Sequence, residues 1–233
     1  MTDLLWRDSP LDETELTALT LDGLLHRLTA DCWVAVGTRV DPLVRARALG
    51  APPLTGLAAS HATAHWVWWG RGLAPARAEY STLRRRRIRT SPPGTVVHER
   101  NVAVEDVVDH GRLPVTTPAR TVHDLLLEIV DTHRGRGRVD DRPLQNRPLQ
   151  WRERADLPAE AVAAARRMIE PVPRADRRAA WARLAALYRK PDLVAVRTLL
   201  AAVLGPEDRI LPSAGPGRAV RTPRTVGQEP VMR

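Results

Sequence analysis

The stretch Arg112-Leu113-Pro114-Val115-Thr116-Thr117-Pro118-Ala119-Arg120-Thr121-Val122-His123-Asp124-Leu125-Leu126-Leu127-Glu128-Ile129-Val130 decides how the rest of the chain reads. Its first residues, 113–115, have an extended pattern. The Thr117 hydroxyl can then cap a helix, and Pro118 suits a first helical turn, where no amide partner is missed. Apolar residues recur at Val122, Leu125, Leu126, Ile129 and Val130, the i, i+3, i+4, i+7, i+8 spacing of one buried helical stripe. Arg120, Thr121, Asp124, Glu128 and Asp131 fall mostly off that stripe. His133 and Arg134, followed by Gly135, supply the stop. The pattern predicts a helix packed on a small sheet built by the segments just before it.

Upstream of this helix, residues 79–83, the run around Ile88 and residues 95–99 read as strands, with a turn at 91–94. Residues 102–108 read as a loop or short helix, and 109–112 as a turn. Ser60 can cap a helix that Gly70 ends. That helix carries Trp66, Trp68 and Trp69, the largest aromatic mass of the protein. An exposed cluster could stack on bases, but a chain with seven Trp, two Tyr and no Phe needs its aromatics for a core.

The first fifty residues suggest a small helical unit closed by a hairpin. Residues 12–19 and 21–28 read as two short helices, with Gly23 weakening the second by about 1 kcal/mol relative to Ala. Residues 33–36 read as a strand, 37–38 as a turn, and 39–40 as a return strand ended by Asp41 and Pro42. Two short helices and a two-stranded wing make the outline of a winged helix-turn-helix. A further helix over 43–49 is stopped by Gly50 and the pair Pro52-Pro53. The predicted fold class is therefore α+β. The predicted organisation is a winged helix-turn-helix-like unit over 1–50, a small α/β domain over 54–133, a linker over 134–155, a helical segment over 156–205 and a disordered tail over 206–233. The linker contains a Gly-Arg run and a repeated Arg-Pro-Leu-Gln and has no structural period.

The formal charge is +9, and among 36 basic residues only Lys190 is a lysine. Such an Arg bias suits a GC-rich genome, so part of the apparent phosphate-gripping character is discounted. Placement is more informative than size. Residues 1–50 hold five arginines against eight acidic residues, whereas 51–100 hold eight against two. Cys32 is the only cysteine, which excludes an internal disulfide. The N-terminus lacks a basic start and apolar core, and no apolar run reaches the roughly 18–20 residues that span a bilayer. A cytoplasmic protein without a membrane span is expected.

Catalytic patterns are weak. Neither a Walker-type nor a dinucleotide-binding glycine pattern occurs, nor Cys-x-x-Cys, nor His-Glu-x-x-His. His61 and His65, four apart, could share a helix face and hold a metal, but no third ligand is evident nearby; packed histidines are the plainer reading. Glu99, Glu105, Asp106 and Asp109 lie close in sequence, yet the one lysine a nuclease would need is far downstream. No enzyme, cofactor or metal is expected. The positive signal is the run Arg84, Arg85, Arg86, Arg87, Ile88, Arg89. On a strand, Arg85, Arg87 and Arg89 would line one face. Such a row can contact phosphates, protect an edge strand or meet an acidic protein.

The order of segments resembles the actinobacterial AbiEi-type antitoxin family, the transcriptional regulators of type IV toxin–antitoxin systems. Three runs carry the resemblance. The first is Ser60-His61-Ala62-Thr63-Ala64 with Trp66. The second is Val96-Val97-His98-Glu99-Arg100 with Val104-Glu105-Asp106-Val107. The third, and most specific, is Gly111 to Leu125. Together with the N-terminal unit they span about residues 12–131. The resemblance implies a DNA-binding winged helix, an α/β antitoxin domain, repression of the protein's own operon through double-stranded DNA, and functional pairing with a nucleotidyltransferase-like toxin. Many relatives also carry a nuclease-like C-terminal domain, whose carboxylate–lysine pattern does not occur after residue 134 of this chain, so none is expected. The phosphate contacts expected are Arg27, Arg39, Arg45 and Arg47 in the N-terminal unit, and Arg84, Arg85, Arg86, Arg87 and Arg89 as a second patch. The net negative N-terminal unit also fits an alternative, a protein-interaction module that has lost DNA binding.

Overall fold

In the computed structural model, residues 4–7, 10–84, 88, 91–133, 158–187 and 191–209 are described. A short strand, β1 (Leu5–Trp6), precedes helix α1 (Glu13–Leu21). Asp12 starts this helix with a capping box. Its carboxylate accepts from the Glu15 amide at 2.8 Å, and the Glu15 carboxylate accepts from the Asp12 amide at 2.8 Å.

The second helix expected over 21–28 does not form. Gly23 takes φ +72, a left-handed turn that L side chains resist, and strand β2 (Leu25–Thr29) follows. The return strand expected at 39–40 is also missing. β2 pairs instead with β3 (Cys32–Ala35), and β1 covers the other edge of β3, giving an antiparallel sheet of order β1-β3-β2. Among the described residues there is thus no helix-turn-helix, and the winged helix-turn-helix-like unit expected over 1–50 is replaced by one helix on a three-stranded sheet. Leu25 and Leu28 explain the error. They fall in different cores: Leu25 packs with Leu16 and Trp33, and Leu28 with Cys32 and Val34. A strand buried on both faces can carry leucines three apart, which imitates the helical period.

Helix α2 (Pro42–Leu49) forms where a helix over 43–49 is expected, but Asp41 and Pro42, expected to end a strand, start it. The Asp41 carboxylate accepts from the Val44 amide at 2.9 Å, Pro42 opens the first turn, and Gly50 ends the helix at φ +74.

The second sheet is built by β4 (Leu57–Ala59), β5 (Ala78–Thr82), β6 (Thr95–His98), β7 (Val107–Asp109) and β8 (Pro114–Thr116). Its order is β6-β5-β4-β8-β7. The β5–β6 and β4–β8 pairs are parallel; β4–β5 and β7–β8 are antiparallel. Helix α3 (His61–Trp69) makes the crossover between β4 and β5. A single 3₁₀ turn, Val104–Asp106, precedes β7. The tryptophans are core, as the missing Phe requires. Trp66 and Val67 pack with Leu57, Tyr80 and Val115. Each indole N–H in α3 has an acceptor: Gly72 O at 3.1 Å for Trp66, Thr116 O at 2.7 Å for Trp68 and Asp176 Oδ2 at 2.9 Å for Trp69.

Helix α4 (Pro118–His133) runs where the sequence places it. Its stripe, however, does not face the sheet. Val122, Leu126 and Val130 share a core with helices α5 (Ala159–Ile169), α6 (Arg174–Ala186) and α7 (Pro191–Val203), through Ala165, Ile169, Leu184, Leu199 and Leu200. Each leucine buried there contributes about 1.5–3 kcal/mol. The last described element is a 3₁₀ turn, Pro206–Asp208, at the start of the stretch expected as a tail. The linker expected over 134–155 and residues 210–233 lie outside the described residues. No helix among the described residues is long and apolar enough to cross a membrane.

Candidate functional site

The arginines divide into those committed to the fold and those left over. Arg120, on the first turn of α4, places Nε 2.9 Å from both carboxylate oxygens of Asp124 one turn on, and Nη1 3.1 Å from Asp106 Oδ2. Arg183 of α6 reaches the same Asp106 oxygen at 2.6 Å. Arg120, Asp106 and Asp124 are buried, Asp124 fully so, and Arg183 is half-buried. Burial alone would lower the Arg120 pKa, but the carboxylates of Asp124 and Asp106 overcome it and leave it raised. Thr121 donates to Thr117 O at 2.9 Å and lies 2.8 Å from the Thr116 hydroxyl. Three of the polar residues that sequence put off the buried stripe, Arg120, Thr121 and Asp124, are therefore buried too, in a salt-bridged seam between α4, α6 and the 3₁₀ turn before β7, while Glu128 and Asp131 are half-buried.

Arg45, expected to touch phosphate, is also spent. Its Nη1 donates to Val67 O at 2.8 Å and Trp68 O at 3.4 Å, near the C-terminal end of α3. Burial lowers its pKa, with Asp41 opposing. Arg27 lies on β2, donates to the Thr29 and Ala30 carbonyls, and sits 5.0 Å over the Trp33 ring. Neither is placed as a free phosphate contact.

Arg39 and Arg47 remain exposed, and no ion pair holds either among the described residues. Arg84 is exposed just past β5. Arg85, Arg86, Arg87 and Arg89, most of the second patch expected, lie outside the described residues. Ile88, between them, is in no strand; its amide donates to Glu99 Oε1 at 2.9 Å.

Arg47 opens onto a cleft of ≈ 700 Å³. The turn between β7 and β8 supplies its other wall, with His110 and Arg112, while Trp6 of β1 and Leu43 of α2 line it with apolar surface. Gly111, at φ +81, makes the sharp turn that puts His110 and Arg112 on this wall. The His110 amide donates to Leu113 O at 3.1 Å, and its ring stands edge-on to Trp68 at 5.2 Å. Burial lowers the His110 pKa despite Asp109 and Asp41 nearby. Its Nε2 has no hydrogen-bond partner among the described residues. Two guanidiniums and a neutral imidazole on one cleft with an exposed indole can hold an anion that carries a flat or apolar group. Arg112 and His110 were missed because in sequence they are only turn residues; nothing in the chain says that the turn meets α2.

The remaining chemistry is separate. Cys32 is buried, and its thiol is pushed up to about 12 by burial and then by Asp31, which excludes a ready thiolate. His65 does not join His61. Its Nε2 lies 3.0 Å from Met168 O, tying α3 to α5. His61 stacks instead on His98, with ring centroids 3.6 Å apart, and Glu79 Oε2 lies 3.2 Å from His98 Nε2. The acidic run is dispersed: Asp106 is buried, while Glu99, Glu105 and Asp109 face solvent.

No protein-family model matches the chain, and no curated protein is found similar to it. The class that the fold and the site define is a mixed α+β protein with a basic, partly aromatic cleft between its two sheets' connecting elements.

Proposed function

We propose that the protein is a DNA-binding regulator of AbiEi antitoxin type that represses its own operon in the cytoplasm and pairs functionally with a nucleotidyltransferase-like toxin. It is a binding protein, without an enzymatic step. The observation that carries the reading is the pairing of Arg47 and Arg112 on one cleft, both uncommitted among the described residues. Guanidiniums with no internal partner, next to an exposed indole, suit a phosphate backbone and an unstacked or shallow base edge. Arg39 and Arg84 are further exposed guanidiniums. The three runs that resemble the antitoxin family also support the reading, because they fall in one structural unit: α3, β6 with the following 3₁₀ turn, and β8 with α4. DNA contact through a recognition helix forms no part of the proposal.

A gel-shift titration on the protein's own upstream DNA and on an unrelated duplex, at two salt concentrations, tests it. The proposal expects preference for the former, weakened by salt and by Arg47→Glu. Absence of binding to both duplexes at low salt sinks it.

One observation favours a second reading, a protein-interaction module. Leu21 and Leu24 are exposed at 84% and 57%, and Val36, whose amide donates to Leu24 O at 2.9 Å, is exposed at 47%. Three large apolar side chains at one end of the small sheet suit a protein partner.

A further inference from the structure

We propose that His61, Glu79 and His98 form a binding site for one divalent transition-metal ion of the zinc class. The site follows from register. In the parallel β5–β6 pair, Glu79 lies opposite Val96 and Ser81 opposite His98. Side chains two apart share a face, so Glu79, Ser81 and His98 rise from the same side of the sheet. His61, the first residue of α3, comes down on that side. One ligand atom from each of His61, Glu79 and His98 lies within 4.8 Å of the other two.

The surroundings hold these groups as an outer ligand shell would. Ser60 stands at the N-cap position of α3, yet its hydroxyl makes no cap bond. It lies 2.9 Å from His61 Nδ1 and accepts from the Ser81 hydroxyl at 2.9 Å. The Ser60 hydroxyl orients the His61 ring, as a hydrogen-bonded outer partner does for a metal-ligating imidazole. Glu79 is held by its backbone on both sides: its amide donates to Thr63 Oγ1 at 2.7 Å, and its carbonyl accepts from the Ser60 amide at 3.0 Å. His61 takes φ +48, an uncommon backbone for a residue other than glycine, and strain of this kind collects at functional sites.

The dimensions fit. Two donors each about 2.0–2.1 Å from a tetrahedral zinc stand about 3.3 Å apart. His98 Nε2 and Glu79 Oε2 are 3.2 Å apart. The His61 ring, stacked on His98 with centroids 3.6 Å apart and planes 17° from parallel, turns out of that stack to bring its nitrogen to the same ion. Two imidazoles and one carboxylate favour zinc and its neighbours over magnesium or calcium. The side chains of His98 and Glu79 are 17% and 15% exposed, so the ion enters from their side, and a fourth position stays open to water. The site does not depend on the nucleic-acid reading.

The test is a titration of the chelator-stripped full chain with Zn²⁺ against a chromophoric competitor, repeated with Co²⁺ for its visible spectrum. The wild type is expected to bind one ion per chain with micromolar or tighter affinity. Glu79→Gln and His98→Gln should each weaken binding tenfold or more, while His133→Gln, at an exposed position, should leave it unchanged. Bound Co²⁺ should give the strong absorption of a four-coordinate site, altered in Glu79→Gln. Circular dichroism shows which variants fold; if His98→Gln does not, Glu79→Gln and the Co²⁺ spectrum decide. Substoichiometric binding to the wild type, or equal affinity in wild type and a folded Glu79→Gln, overturns the proposal.

Discussion

Arg120 and Asp124 are joined one turn apart on α4, with the guanidinium Nε 2.9 Å from both carboxylate oxygens. The pair is buried, and Arg120 carries the connection on to Asp106, which Arg183 also holds. The seam thus fastens the C-terminal helices to the sheet-bearing half. The residues that make the Gly111 to Leu125 run distinctive include Arg120, Thr121 and Asp124, and all three are buried. Those three residues are architecture, whereas Arg112 at the start of the run opens onto the cleft.

Removing one member strands a buried charge. Asp124→Ala and Asp106→Ala should each destabilise the protein by about 3–5 kcal/mol. The double variant Arg120→Met, Asp124→Leu should recover much of the Asp124→Ala loss, because it leaves no charge unpaired at that turn. Urea unfolding with an unchanged slope is the measurement. Single-variant losses below about 1 kcal/mol would mean that the seam is solvated and contributes little.

His123, next to the same seam, sets a pH response. Burial, then Arg120, Arg183 and Arg100, push its pKa down to about 3. The unfolded chain titrates near 6.5. Between these values the unfolded state binds the extra proton, so stability is complete above about pH 6.5 and falls as pH drops towards 3. The loss by pH 5 is about 2 kcal/mol. His123→Leu removes this term. Its unfolding free energy should therefore change less than that of the wild type between pH 7 and pH 5. Parallel pH dependences in the two proteins would show that His123 takes up a proton as readily folded as unfolded.

Arg45 is a fastening, in contrast to Arg47 two residues on. Losing its bonds to the Val67 and Trp68 carbonyls should cost about 1.5–3 kcal/mol, the range for hydrogen bonds to a charged group. Arg45→Ala is expected to lower the thermal midpoint while the folded protein keeps its affinity for DNA. Arg47→Ala is expected to do the reverse. A drop in DNA affinity for folded Arg45→Ala, with no loss of stability, would return Arg45 to the interface.

Much of this was legible in the sequence where the signal is local. α4 announces itself by its Thr117 cap and periodic stripe, and α2 by the stop at Gly50; the caps Asp12 and Asp41 are found only in the structure, Asp41 having read as the end of a strand. The strand β2 was misread because burial on two faces spaces Leu25 and Leu28 as a helix would. The partner of α4 was misread because a periodic stripe says that a helix is buried, and not against what. The cleft and the His61–His98 stack depend on contacts between distant segments, which no spacing encodes. His61 was noticed for its neighbour His65, four residues away, whereas its real neighbours come from β5 and β6.

Cys32, the chain's single thiol, gives a clean readout of the core around β3. Buried and with a pKa raised to about 12, it should react with an aromatic disulfide reagent far more slowly in native protein than in urea. Equal rates would mean that the small sheet opens freely.

The most direct test of the proposed function is the salt dependence of DNA affinity, by fluorescence anisotropy, for the wild type and for Arg47→Ala, Arg112→Ala. If both arginines contact phosphates, the log–log slope should become shallower by roughly 1.8, about 0.9 for each contact. A folded double variant with the wild-type slope and affinity would contradict the cleft as the DNA-binding surface.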